Sequence, residues 1–374
     1  MAAFPFYDAA AIGALNDQAV VLLKLFAARG YSREEPSILQ PADIFLDRYG
    51  EEIRRRTFTL TDPSGRDLCL RPDLTIPICK HAVDAGAKFP ARISYNGLAF
   101  RHQPSKPLRP TQFFQAGVEL LGLDDAAAGE AEILGLSFDA MRAAGLKDFE
   151  MRFGDLALFG ALVDALELPA QWRTRLKRHF WRAGYVETLL QRLGHGARKA
   201  PSRAEIEARL KDHAAAPSSG RTRDEIIARA LEQGAEAAAL HLDPAVAGVI
   251  TKLFGISGPA QQAVDEIRAL LKTAGIKLDT PLAIMDARLK TITALGVDSA
   301  RVRFTAHFGR NIEYYTGFVF ELWSRDGEGP VQVAGGGRYD ALMETLGAKA
   351  RVTAIGCALR TERMLVAKQF LGGA

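Results

Sequence analysis

The chain has 374 residues, 48% hydrophobic and 25% charged, with 48 Lys and Arg against 44 Asp and Glu. These are the proportions of a folded globular protein, and they exclude a disordered, collagen-like or coiled-coil chain. A net charge of +4 over this length is no footprint of a dedicated nucleic-acid binder. The three cysteines, Cys69, Cys79 and Cys357, form no CxxC pair, so neither a disulfide framework nor a structural zinc site is expected. Reduced thiols fit a cytoplasmic location. The opening residues have no basic segment before an apolar run, so no signal peptide is expected. No run of ~20 uncharged apolar residues predicts a membrane span.

In chain order, residues 8–29 predict a helix: Ile12, Leu15, Val20, Leu22, Leu23 and Phe26 recur near helical spacing, Asp8 can cap its start and Gly30 can end it. Residues 58–61 and 67–70 flank Asp62-Pro63-Ser64-Gly65, which predicts a hairpin. Strands are expected at 92–100 and 112–121, joined by a loop holding Pro104, Pro107 and Pro110. Residues 127–145 predict a helix and 148–153 a strand. From 155 to 297, Ala, Leu, Glu, Arg and Lys dominate in helical periods, with a break at Ala216-Pro217-Ser218-Ser219-Gly220. Strand-like alternation returns at 301–308, 317–323 and 330–334. A short helix (338–346), a strand (351–358) and a last helix (360–370) complete the reading. Early and late strands around a helical middle predict an α+β fold. It divides into a core of residues 1–154 and 298–374 and a mostly helical insertion, 155–297.

Four segments place charged and polar residues beside strands and turns. The first is Arg71-Pro72-Asp73-Leu74-Thr75. On an extended segment Asp73 and Thr75 face the same side and can hold an amine; equally, either can cap the next helix. In the second, Arg101 to Glu119, the residues Gln115, Gly117 and Glu119 share one strand face. A buried Glu there requires a partner, which a ligand ammonium can supply; equally, this face can meet solvent or pair with a neighbouring Arg. The third, Gly309 to Glu321, joins Arg310 to Tyr314 and Tyr315. Arg suits planar carboxylate or phosphate recognition, and two tyrosines can be a pocket wall or ordinary core. The fourth, Gly335-Gly336-Gly337-Arg338-Tyr339-Asp340, admits a ligand close to the backbone or makes a tight strand-to-helix turn. It lacks phosphate-loop and dinucleotide spacing.

Together these segments resemble the class II aminoacyl-tRNA synthetase core, in its histidyl branch, over nearly the whole chain. The resemblance implies an antiparallel sheet flanked by helices. It puts Pro36 in the dimer-forming first motif, Arg101 at an ATP α-phosphate and Arg363 on adenine. The departures are informative. The second motif reads Arg101-His102-Gln103 where a synthetase has Arg-His-Glu, so an adenine contact loses its charge, worth ~1–2 kcal/mol. Of that loop's arginines Arg109 remains, while those expected near Pro104 and Thr111 are missing. Arg360 replaces a glycine and crowds the adenine slot. The chain ends at Ala374, shortly after Arg363, so no anticodon-binding domain of ~100 residues and no tRNA partner are expected.

A retained amino-acid half beside a degraded nucleotide half resembles the regulatory subunit family of ATP phosphoribosyltransferase. That resemblance implies a non-catalytic chain, with no metal or cofactor. It implies a short-form catalytic subunit as partner, self-association as a homodimer within a hetero-oligomer, and L-histidine as effector. By carry-over, Asp73, Thr75 and Glu119 would hold the ammonium of histidine, the shorter Asp73 through a water. Gln115 and Arg310 would reach its carboxylate, Glu313 and Tyr315 its imidazole, and Tyr339 would form a wall. Arg101, Gln103, Arg109 and Arg363 would be a vestigial nucleotide site. The competing expectations are a stand-alone histidine-adenylating ligase, which Arg101, Arg310 and Arg363 favour, and an RNA-binding adaptor, which the low charge disfavours.

Overall fold

A computed structural model describes residues 6–46, 51–102, 110–166, 168, 170–180, 183–194, 201–212, 223–239, 244–308 and 314–372. Four expected site residues, Gln103, Arg109, Arg310 and Glu313, lie outside the described residues, as does the break at 216–220.

The first helix, Ala9–Ala28, begins at Asp8, whose carboxylate accepts from Ala11 N at 2.8 Å. It ends just before Gly30, which has φ 82°. It is long and apolar enough to cross a bilayer. Asp17 and Lys24 interrupt it, however, and Leu15, Leu22 and Phe26 are buried. Leu22 and Phe26 belong to the larger core, under strand 91–100 and the helices Ala126–Ala143 and Thr361–Gly372.

Among the described residues, twelve strands follow in chain order: β1 Ser32–Arg33, β2 Leu39–Pro41, β3 Phe58–Thr61, β4 Asp67–Leu70, β5 Ala91–Phe100, β6 Gln112–Leu121, β7 Glu150–Asp155, β8 Ser257–Pro259, β9 Val302–Thr305, β10 Phe318–Asp326, β11 Gly329–Arg338 and β12 Ala354–Arg360. Nine form one sheet in the order β1-β5-β6-β12-β11-β10-β7-β9-β8. The six central strands are antiparallel, with parallel pairs only towards the edges, β1 with β5 and β7 with β9. The expected α+β fold, an antiparallel sheet flanked by helices, is thus found.

The predicted hairpin is β3–β4. The Asp62 carboxylate ties its turn by accepting from Ser64 N and Arg66 N, an Asx-type closure. With β2 it makes a separate three-stranded sheet. By register and alternation, Leu39, Pro41, Phe58, Leu60, Leu68 and Leu70 share one face of that sheet, and Cys69 is buried on the other. Leu39 and Leu60 are 45% and 40% exposed.

Two local expectations are corrected. The triple glycine is not a turn: Gly335, Gly336 and Gly337 lie inside β11, paired with both β10 and β12. A Cβ on Gly336 would come within 2.1 Å of the Gly356 carbonyl, so strand packing demands glycine there. Thr75 does not continue an extended segment; it opens the helix Thr75–Asp84. The short β8 at 257–259 escaped the sequence pattern, because three residues show no alternation.

The sheet separates two hydrophobic clusters. Ala116, Val118 and Leu120 of β6 point into one, with Phe153, Phe318 and Phe320. Tyr95, Val319 and Tyr339 belong to the other, with Phe113, Tyr314 and Tyr315.

Candidate functional site

The site lies on the second face and is built from rows that cross the sheet. One row reads Ile93, Glu119, Gly356 and Gly337. The next reads Tyr95, Gly117, Ala358 and Gly335. A third brings Gly97, Gln115 and Arg360 together. In the first two rows Glu119 and Tyr95 therefore share the face with glycine and alanine on β11 and β12. The small residues are required. A Cβ on Gly356 would sit 1.7 Å from a Glu119 carboxylate oxygen, and one on Gly117 would sit 2.3 Å from the Tyr95 hydroxyl.

Glu119 is the centre. Its Oε1 accepts from Thr75 Oγ1 at 2.7 Å and from the Tyr95 hydroxyl at 3.2 Å, and its Oε2 accepts from the Tyr339 hydroxyl. Burial pushes this carboxyl up to about 7, with the negative Asp73 nearby adding to the rise, against the three hydroxyl donors. Gln115 Nε2 donates to the Tyr95 hydroxyl at 3.3 Å, while its buried Oε1 has no partner. Burial also raises the Asp73 carboxyl, opposed by Arg101, Arg360 and the backbone N–H of Ile76. Asp73 accepts from that N–H at 3.1 Å. The helix-capping reading of Asp73 is therefore right, and the same side chain lines the pocket.

The space between Asp73, Thr75, Gln115, Glu119, Tyr315 and Tyr339 is about 20 Å³, roughly the room of one water. Tyr314 packs edge-on against Tyr339 at 5.5 Å between centroids. Buried Cys79 lies near Glu119 and Tyr339, and burial raises its thiol pKa far above the ordinary range. All three cysteines are free and buried.

Beside the carboxylate hub the chemistry changes sign. Arg101 donates to the Pro72 carbonyl at 2.6 Å and lies 5.6 Å from the Phe113 ring centre. Arg360 lies over the same ring at 4.1 Å, well inside the ~6 Å range of cation–π attraction. Arg363 donates to the Gln332 carbonyl at 3.0 Å. It is absent from the described pocket lining, which holds Arg101 and Arg360. Among the described residues, no group of His, Cys, Asp or Glu is placed to hold a metal ion.

Sequence reasoning missed three contributors. Tyr95 is a hub partner; its signal was a polar-tipped aromatic at period two with Gly97, opposite Gly117. Gly356 makes the room for Glu119. Buried Arg71 ties the chain after β4 to its surroundings, donating to Leu98 O at 2.7 Å and to Pro36 O. Gly97 leaves it space, since a Cβ there would meet the guanidinium at 2.5 Å.

This sheet, with its polar face between β5, β6, β11 and β12, defines a class II aminoacyl-tRNA synthetase-like core. Two solved structures share the fold. An ATP phosphoribosyltransferase regulatory subunit/histidyl-tRNA synthetase from Bacillus halodurans matches with TM-score 0.70 at 23% identity, over 98% of this chain and 82% of that one. A histidyl-tRNA synthetase from Nostoc sp. PCC 7120 matches with TM-score 0.63 at 14% identity, over 100% and 75%. The family model described as histidyl-tRNA synthetase matches residues 8–214 and 210–364. An ATP phosphoribosyltransferase regulatory subunit from Mesorhizobium japonicum is 35% identical over 363 residues, 92% of this chain and 95% of the relative. The chain therefore belongs to the histidyl-tRNA synthetase family and, within it, to the ATP phosphoribosyltransferase regulatory subunits.

Proposed function

We propose that this chain is the non-catalytic component of a two-part ATP phosphoribosyltransferase acting in the first step of histidine biosynthesis. It binds a short-form catalytic subunit, and its own pocket takes L-histidine. The observation that carries the reading is the buried Glu119 hub beside a Phe113 ring already covered by Arg360. The hub suits an ammonium: Thr75, Tyr95 and Tyr339 orient the carboxylate, and Asp73 adds a second negative group. Gln115 Oε1 is a buried acceptor without a partner, which costs ~1–3 kcal/mol. It suits a donor of the ligand, so Gln115 is reassigned here from the carboxylate of histidine to its ammonium or imidazole N–H. On the nucleotide side, a guanidinium holds the aromatic face that a base would need. This chain therefore does not adenylate histidine, and no tRNA role is assigned to it.

The apolar face of the three-stranded sheet, close in sequence to Pro36, supports a homodimer through that region. Light scattering at micromolar concentration should give a dimer for the wild type and a monomer for Leu60→Glu; a wild-type monomer overturns the dimer.

The test of function is reconstitution. The pure chain is mixed with a short-form catalytic subunit, and phosphoribosyl transfer is followed with and without histidine. Activity that appears only in the mixture supports the proposal, and histidine inhibition that Glu119→Ala weakens supports the effector role. Full activity of the catalytic subunit alone, unchanged on addition, refutes it.

A further inference from the structure

A cleft much larger than the histidine pocket is lined by a different set of residues. It has a volume of about 1050 Å³ and lies at one end of the sheet. The start of helix Ala126–Ala143, helix Asp279–Ala294 and the residues around 340–352 enclose it. A closed set of charges forms its floor. Arg288, almost fully buried, donates to Glu130 at 2.9 Å and to Asp155 at 3.0 Å, and its guanidinium lies 4.4 Å from the Phe318 ring centre. Arg338 pairs with Asp340 at 3.2 Å, contacts Glu130 at 3.5 Å and donates to Ala126 O at 2.8 Å.

Two short pieces of backbone serve both places. In 338–340, Tyr339 reaches Glu119 in the pocket, while its neighbours Arg338 and Asp340 line the cleft. In 314–317, Tyr314 and Tyr315 line the pocket, and Thr316 and Gly317 line the cleft. The pieces are bonded to each other: Thr316 N donates to Arg338 O at 2.9 Å, and Asp340 N donates to Thr316 Oγ1 at 3.2 Å. Asp340 also accepts from Ala354 N at 2.8 Å, while Tyr339 N donates to Ala354 O at 2.8 Å.

We propose that Arg338-Tyr339-Asp340 couples the two places, so that filling the pocket rearranges the charged floor of the cleft. This inference rests on the reading of the pocket as a histidine site. The space beside Glu119 is about 20 Å³, far below the size of an amino acid. An incoming ammonium competes with the Tyr339 hydroxyl for Glu119, so Tyr339 has to move. Its neighbours are held by short, directional bonds and move with it. The Arg338–Glu130–Arg288 chain of charges then carries the change across the cleft floor, a contiguous physical route. By linkage, whatever occupies the cleft changes histidine affinity by the same factor.

The test uses the full chain with an environment-sensitive fluorophore on Ala287→Cys, an exposed cleft position. The native cysteines are buried and leave the new thiol the preferred site of labelling. L-Histidine is titrated by fluorescence and, in parallel, by calorimetry. The expected result is a saturable fluorescence change with the calorimetric midpoint. Asp340→Asn and Glu130→Gln, both outside the pocket, should at least halve that change while histidine still binds. A silent label with clear binding heat overturns the coupling and leaves the pocket standing, as does full wild-type amplitude in both variants. A wild-type chain that gives no binding heat overturns the pocket and the coupling with it.

Discussion

Strand β6 carries two neighbouring regions that have met opposite fates. Around Glu119, three hydroxyls point at one carboxylate, and Gly356 leaves the room that this carboxylate fills. Six residues earlier on the same face, the Phe113 ring is covered by Arg360 and flanked by Arg101. The first region presents a negative centre whose neutral partners an incoming cation can displace. The second has filled its aromatic face with a side chain of its own. Both rest on the same strand and the same register, so the fold alone does not set what each accepts. One residue does much of it: Arg360, in the row of Gln115.

The largest expected effect tests the first region. Glu119→Ala should lower histidine affinity at least ~100-fold, in line with the loss of a buried charged partner at ~3–5 kcal/mol. Circular dichroism should show the fold retained. Unchanged affinity in calorimetry breaks the comparison at its first term.

The second effect is on pH. Glu119 sits at about 7 in the folded chain, above the ordinary 4.5, so the folded state holds a proton that the unfolded state has released. Between those values stability falls as pH rises, by roughly 3 kcal/mol at ~1.4 kcal/mol per unit, and above about 7 this loss is complete. Denaturant midpoints from pH 4.5 to 7.5 should show a downward slope that Glu119→Gln flattens. Histidine affinity should rise over the same interval, as the carboxylate ionises. A wild-type slope that survives the substitution contradicts the assignment.

The smallest effect sharpens the second region. Arg360→Ala should give weak, measurable binding of MgATP where the wild type shows none, with histidine affinity within about threefold of wild type. Equal nucleotide binding by both proteins shows that Arg360 is not the plug.

Much of this was legible in the sequence, for identifiable reasons. The Gln115–Glu119 stripe stood out because period two on an apolar strand leaves a buried acid unexplained. The hairpin at 58–70 was marked by its Asp-Pro-Ser-Gly turn, and the first helix by Asp8 and Gly30. Cross-strand neighbours were not legible: Tyr95 opposite Gly117, and Gly356 beneath Glu119, are fixed by register between segments far apart in the chain. The triple glycine misled for the same reason, since it is needed by packing across β11 and β12 and not by a turn. Asp73 carried both readings at once, and only geometry showed that a helix cap can also line a pocket.

The most direct test of a seat kept without its machinery is histidine-dependent exchange of pyrophosphate into ATP. The chain alone is assayed at a histidine concentration that saturates it by calorimetry. No exchange above background is the predicted result; brisk exchange that requires histidine would contradict the account.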